Sequence, residues 1–169
     1  EFLLVETDAP FLAPHPDRGK RNEPAYVTRV VEKLAEIKGL SFEDVARITT
    51  RNAAELFNMP GVEDERTIVY PIRNSLYINL TNRCSAHCVF CPIYDAPYVK
   101  GHYLGMKREA EPSAAEVIEA VGDPAGYEEI VFCGYGEPTL RWEVLKEVAG
   151  ALKQQGAVIR INTNGHGNL

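Results

Sequence analysis

The chain has 169 residues, 45% hydrophobic and 25% charged, with no repeat, no low-complexity tract and no apolar run long enough to cross a bilayer, which sets aside fibrous, repetitive and membrane-spanning classes. A net charge of −6 argues against strong nonspecific attraction to nucleic acid, which requires clustered Lys and Arg. Four cysteines, three of them clustered, do not make a disulfide framework in a chain of this size; they point to metal or redox chemistry in a reducing, cytoplasmic setting.

In chain order, "FLLVE" (2–6) is an apolar run suited to a buried strand, and a Pro-rich loop follows it as far as Pro24, a residue favoured at the start of a helix. Tyr26, Val27, Val30, Val31, Leu34 and Ile37 recur at helical spacing, with Gly39 as a stop. Ser41 and Asp44 form the pattern of a helix start, and Thr50 is placed to cap a further piece, so residues up to 59 read as a strand, a loop and three helical pieces. One strand with helices does not enclose a core, and about 60 residues is marginal even for a complete topology. "PGVEDER" is polar and lacks periodicity, which places a linker at 60–66 and divides the chain into 1–59 and 67–169. The openings "EFLLVETDAP" and "INTNGHGNL" at the two ends both read as cut from a longer polypeptide.

In the second piece, "TIVYPI" and "SLYINL" are two strands separated by "RN". "PSAAEVIEAVGD" is a short helix with a capping box of Ser113 and Glu116 and with Gly122 near its end. "EEIVFC" is a strand. "LRWEVLKEVAGALKQQG" is a helix with Trp142, Leu145, Val148, Ala149 and Leu152 on one face, and "AVIRIN" is a third strand. Strands alternating with helices imply an α/β fold with a parallel layer, whose ligand sites lie at the carboxyl ends of the strands. The residues with chemical potential fall there.

The loop "NRCSAHCVFCPIYD" spaces Cys84, Cys88 and Cys91 so closely that their sulfurs converge on one centre rather than pair. A closed zinc site needs a fourth ligand, for which His87 or Cys133 are available, whereas a cubane held by three thiolates leaves one iron open to bind a substrate.

This CxxxCxxC loop, with the aromatic Phe90 before its last cysteine, resembles that of radical S-adenosylmethionine (SAM) enzymes. The resemblance implies a 4Fe-4S cluster on Cys84, Cys88 and Cys91, SAM chelated to the open iron, and one-electron cleavage to a 5′-deoxyadenosyl radical, with an electron donor such as ferredoxin or flavodoxin and a radical substrate that the sequence leaves unnamed. "CGYGEPTL" resembles the family's Gly-Gly-Glu-Pro element, which contacts the methionine amino group; Gly134, Gly136 and Glu137 match it, with Tyr135 between the glycines. Glycine permits close backbone approach and a carboxylate suits an ammonium. "NTNG" resembles the ribose-contacting segment, through Asn162, Thr163 and Asn164, and Phe90 corresponds to a residue lying against the adenine. The implied fold is the N-terminal half of a partial (β/α)6 barrel over 67–169; the family's later isoleucine-containing strand element is absent.

"VETDAPFLAP", "RGKRNEP", the long helix and "TTRNAAELF" resemble the carboxyl end of TatD-type metal-dependent DNases, the last strand and C-terminal helices of a TIM-barrel-like hydrolase. Asp8, at the mouth of that strand, matches the family's Asp that helps hold or activate a metal-bound water; the divalent metal and any nucleic-acid contact belong to the complete domain. The whole resembles the TatD-associated radical SAM proteins. Set against this is a noncatalytic zinc-binding or interaction module attached to a nuclease, with Cys133 or His87 closing the metal site. Taken singly, Cys133 reads as a small buried hydrophobe, His87 as solvent-facing, Asp8 as a turn residue, and Lys100, His102, Lys107 and Arg108 as a solvated rim.

Overall fold

The helical spacing of Val27, Val31, Leu34 and Ala35 produces α1 (Val27–Lys38), entered through a short 3₁₀ turn at Pro24–Tyr26 and ended by Gly39 in the left-handed conformation, φ 63°. The computed structural model describes residues 2–59, 66–91 and 97–167, and they belong to two units, 1–64 and 65–169. The expected linker 60–66 therefore lies outside the described residues except for Arg66.

In the first unit, α2 (Phe42–Leu56) begins where the Ser41 hydroxyl accepts the Asp44 N–H at 3.0 Å. Thr50 does not start a third helical piece. The helix runs through it, because the apolar stripe continues unbroken and the Thr49 hydroxyl bonds back to the Val45 carbonyl at 2.9 Å within the same helix. Val31, Ala35 and Val45 form the core of this unit, with Val5, Leu34, Leu40 and Ala46 packed against them. Residues 2–6 are not a strand, contrary to the sequence reading. They have no ladder partner among the described residues, and only alternate side chains turn inward: Phe2 is 95% exposed while Val5 joins the core. The segment is held instead by Asn52, whose side-chain amide donates to the Leu3 carbonyl at 2.8 Å. Asn22, 3% exposed, pins the Pro-rich loop by donating to the Phe11 carbonyl from its side chain and to the Pro10 carbonyl from its backbone.

In the second unit, β1 (Val69–Ile72) and β2 (Ser75–Ile78) form an antiparallel hairpin across Arg73 and Asn74. Pro71 is tolerated because β1 is an edge strand. A small hairpin not anticipated from the sequence, β3 (Tyr98–Val99) with β4 (His102–Tyr103), turns through Lys100 and Gly101, both at positive φ, as a two-residue turn of the right twist requires. It sets the His102 ring 5.9 Å, centroid to centroid, from the Tyr70 ring, so His102 is half-buried against Tyr70 rather than part of a solvated rim. Then come α3 (Ala114–Val121), with the full capping box of Ser113 and Glu116, β5 (Glu129–Phe132), α4 (Trp142–Gln154) and β6 (Ile159–Ile161).

The main sheet has the order β1-β2-β5-β6, and the last three strands are parallel. Leu76, Ile78, Ile130 and Phe132 on one face meet Val117 and Val121 of α3 and Leu145, Val148 and Leu152 of α4 in one buried cluster. Because β2, β5 and β6 pair in parallel, their carboxyl ends lie at a common edge. The fold is thus mixed α/β with a parallel sheet.

Candidate functional site

Each of the three parallel strands delivers one motif to that edge. The loop after β2 carries the cysteines. Within it the Cys91 N–H donates to the Cys88 carbonyl at 3.0 Å, a four-residue turn that keeps these two thiol-bearing residues together. Cys84 and Cys88 are exposed, and Cys91 is half-buried. Cys84 Sγ accepts the Ala86 N–H at 3.4 Å and the Asn164 side-chain N–H at 3.5 Å. Among the described residues no three His, Cys, Asp or Glu side chains gather closely enough to hold a metal ion, so the expected convergence of the three sulfurs on one centre is not formed in the chain by itself. The donor set nonetheless fits an iron-sulfur cluster: three soft thiols on one exposed loop, one of them already receiving two N–H groups of the kind that stabilise charged sulfur.

Residues just before the cysteines are held firmly. The Arg83 guanidinium donates from Nε and Nη2 to the two oxygens of Glu111 at 2.7 and 2.9 Å, the Thr81 hydroxyl donates to the same carboxylate, and Arg141 Nε stands 3.6 Å away. Arg141 also donates to the Leu80 and Pro112 carbonyls at 3.2 and 3.0 Å. Burial pushes the Glu111 carboxyl up, but hydrogen bonds from Arg83 and Thr81 and the charges of Arg83 and Arg141 outweigh it and hold it below its ordinary value. Sequence reasoning missed this group, since nothing in local spacing links Glu111 to an arginine 28 residues upstream.

The loop after β5 contains Gly134, Tyr135, Gly136 and Glu137. Glycine at 136 was expected so that backbone could approach a ligand; the crowding found there is with protein. A β-carbon on Gly136 would lie 2.2 Å from the Thr81 carbonyl oxygen and 2.6 Å from that of Arg83, and one on Gly134 would lie 2.1 Å from Asn79 Oδ1. The glycine loop is therefore pressed against the root of the cysteine loop, and the Glu137 N–H donates to the Arg83 carbonyl at 2.8 Å. Tyr135 donates its hydroxyl to the Tyr98 carbonyl at 3.0 Å, and burial together with the neighbouring Cys91 thiol pushes its phenol up.

Glu137 is 2% exposed. Its Oε1 accepts the Thr139 N–H and hydroxyl at 3.0 and 2.7 Å and the Thr163 hydroxyl at 2.9 Å, and its Oε2 accepts the Asn164 N–H at 2.6 Å. Burial raises this carboxyl, yet the bonds from Asn164, Thr139 and Thr163 prevail and its value is lowered. Through Glu137 the segment after β6 is tied to the loop after β5. Asn164 then reaches Cys84 and Ser85 in the loop after β2, while Asn162 turns the other way and accepts from Arg160 at 2.8 Å.

The remaining expected residues stand apart. Phe90 is 83% exposed and His87 is exposed. Cys133 is half-buried rather than fully enclosed, with its backbone engaged by Ile78 and by the Tyr70 hydroxyl. Lys107 and Arg108 are exposed. In the other unit Asp8 opens a turn by accepting the Phe11 N–H at 2.7 Å, and its side chain is exposed.

Residues 1–58 match the model of the TatD related DNase family and residues 78–168 that of the Radical SAM superfamily. Over its first part the chain is similar to the metal-dependent hydrolases YabD of Bacillus subtilis (61% identical over 57 residues, 34% of this chain), YcfH of Escherichia coli K12 (54% over 57 residues, 34% of this chain) and TatD of Mycobacterium tuberculosis (51% over 59 residues, 35% of this chain). It spans 22% of the length of each of these relatives. No solved structure matches the chain. No helix among the described residues is long and apolar enough to cross a membrane. With its cysteine loop, glycine-glutamate loop and final polar segment all inside the longer of the two matches, which takes in more than half of its residues, the chain belongs to the Radical SAM superfamily.

Proposed function

We propose that residues 67–169 bind a 4Fe-4S cluster through Cys84, Cys88 and Cys91, and SAM beside it, as the initiating half of a radical enzyme. Membership of the superfamily implies both groups and an electron donor. When bound, the cluster supplies the electron that cleaves the SAM sulfonium. The chain's own residues bind and orient. The thiols of the β2 loop hold iron, with the Arg83–Glu111 fork fixing where that loop starts. The Gly134–Glu137 segment offers backbone carbonyl acceptors to the SAM ammonium, with the buried Glu137 carboxylate holding that segment to Thr163 and Asn164, and Asn162 offers a short polar side chain to ribose hydroxyls. Phe90, exposed on the cysteine loop, is available to cover the adenine.

The observation that carries this reading is the chain of hydrogen bonds from Cys84 through Asn164 to Glu137, which joins the three motif loops at the carboxyl edge of the parallel strands. Anaerobic reconstitution with iron and sulfide tests it. Uptake of about four irons per chain, and a paramagnetic signal on reduction that vanishes when SAM-free samples of the Cys84→Ser, Cys88→Ser or Cys91→Ser variants are used, supports the reading; iron near zero in the unsubstituted chain removes it.

Residues 1–59 are proposed to be the carboxyl end of a TatD-like hydrolase, with Asp8 as one of several ligands of a divalent metal. Hydrolysis of nucleic acid would belong to the complete domain.

A further inference from the structure

Asn164 is held on three sides. Its backbone N–H is fixed by the buried Glu137 carboxylate at 2.6 Å. Its side-chain Oδ1 accepts the His166 N–H at 2.9 Å, made possible by Gly165 at φ 75°, which doubles the chain back. That bond settles which end of the amide is which, because only the oxygen can accept from a backbone N–H. The NH₂ end therefore faces the cysteine loop, with Cys84 Sγ at 3.5 Å and Ser85 Oγ at 3.2 Å. A ribose-binding role would send this amide to a nucleotide; the geometry sends it to a sulfur.

We propose that Asn164 is a positioning residue that donates an N–H to the Cys84 sulfur and thereby sets the reduction potential of the cluster. The inference rests on the cluster reading above. Reduction adds one electron, delivered by the external donor, and part of the new negative charge falls on the ligating sulfurs. A donor aimed at one of them favours the reduced form and raises the potential, as hydrogen bonds to cluster sulfurs do generally. The Ala86 N–H on the same sulfur comes from the loop itself, whereas Asn164 comes from a different strand, so its contribution can be removed without rebuilding the loop.

The test is a redox titration, followed by paramagnetic resonance, of the reconstituted full chain and of Asn164→Leu, which keeps bulk and removes the donor without adding charge. The midpoint of the variant is expected to fall by an amount equal to a roughly three- to tenfold change in the ratio of oxidised to reduced cluster, a tenfold change being about 59 mV for one electron. Asn164→Ser, whose hydroxyl can still accept the His166 N–H but is too short to reach Cys84, is expected to fall likewise, and it decides the matter if the Leu variant does not retain iron. A loaded wild type with an unchanged midpoint in these variants overturns the role of Asn164 and leaves the cluster reading standing. A wild type that takes up no iron overturns both.

Discussion

The Glu137 carboxylate, 2% exposed, accepts the backbone N–H of Asn164 at 2.6 Å, and so locks the loop after β5 to the segment after β6. Because the bonds from Asn164, Thr139 and Thr163 lower the Glu137 value from its ordinary 4.5, the carboxylate form is favoured more in the folded chain than in the unfolded one. The stability it contributes is complete above the unfolded value and is lost as pH falls through the lower folded value. Urea unfolding from pH 7 to pH 3 is expected to show a steeper acid loss for the wild type than for Glu137→Gln, which is less stable by about 2 kcal/mol at pH 7, the scale of charge-assisted hydrogen bonds left unmade. Equal slopes for the two proteins would exclude this account.

Gly136 and Gly150 should respond to alanine in opposite directions. At Gly136 the new methyl meets the backbone carbonyls of Thr81 and Arg83, which are not free to move, and a loss of about 3 kcal/mol is expected. Gly150 lies exposed within α4 with nothing within 4 Å of the added carbon, so alanine there stabilises by up to about 1 kcal/mol through helix propensity. Thermal and urea unfolding of the two variants measures both signs.

Glu111→Gln keeps the shape of the side chain but replaces the ionic fork with Arg83 by, at most, neutral bonds. The expected cost is on the order of 2 kcal/mol in urea unfolding, set below that of a fully buried pair because the Arg83 side chain is 39% exposed. Faster iron loss from reconstituted protein to a chelator should accompany it, since Arg83 directly precedes Cys84.

Cys133→Ala separates the cluster reading from a four-ligand zinc site. Retained iron and an unchanged spectrum are expected, because the Cys133 backbone is engaged by Ile78 and Tyr70 and its thiol faces the Gly134 carbonyl at 4.0 Å. Loss of bound metal in metal analysis of this variant would favour zinc.

Much of the second unit is legible in the sequence. Its helices are announced by the capping box at Ser113 and by the apolar face of Leu145, Val148 and Leu152, local signals that the packing then uses unchanged. The first unit is less legible. Residues 2–6 have the composition of a strand, but composition specifies no partner, and without one the segment is tied by Asn52 instead. The break expected at Thr50 failed because a hydroxyl able to cap a helix is equally able to bond back within one. In the candidate site, the motif residues are visible because their spacing is local, whereas the Arg83–Glu111 fork and the grip of Glu137 on Asn164 join residues 28 and 27 positions apart that only the parallel sheet brings together.

The carbonyl oxygens of Thr81 and Arg83 lie where a side chain at position 136 would begin. Two stretches of sequence more than fifty residues apart are therefore obliged to vary in concert. A graft of the thiol-bearing segment into another scaffold would have to bring its glycine counterpart along, and an insertion tolerated in either alone would be felt by both.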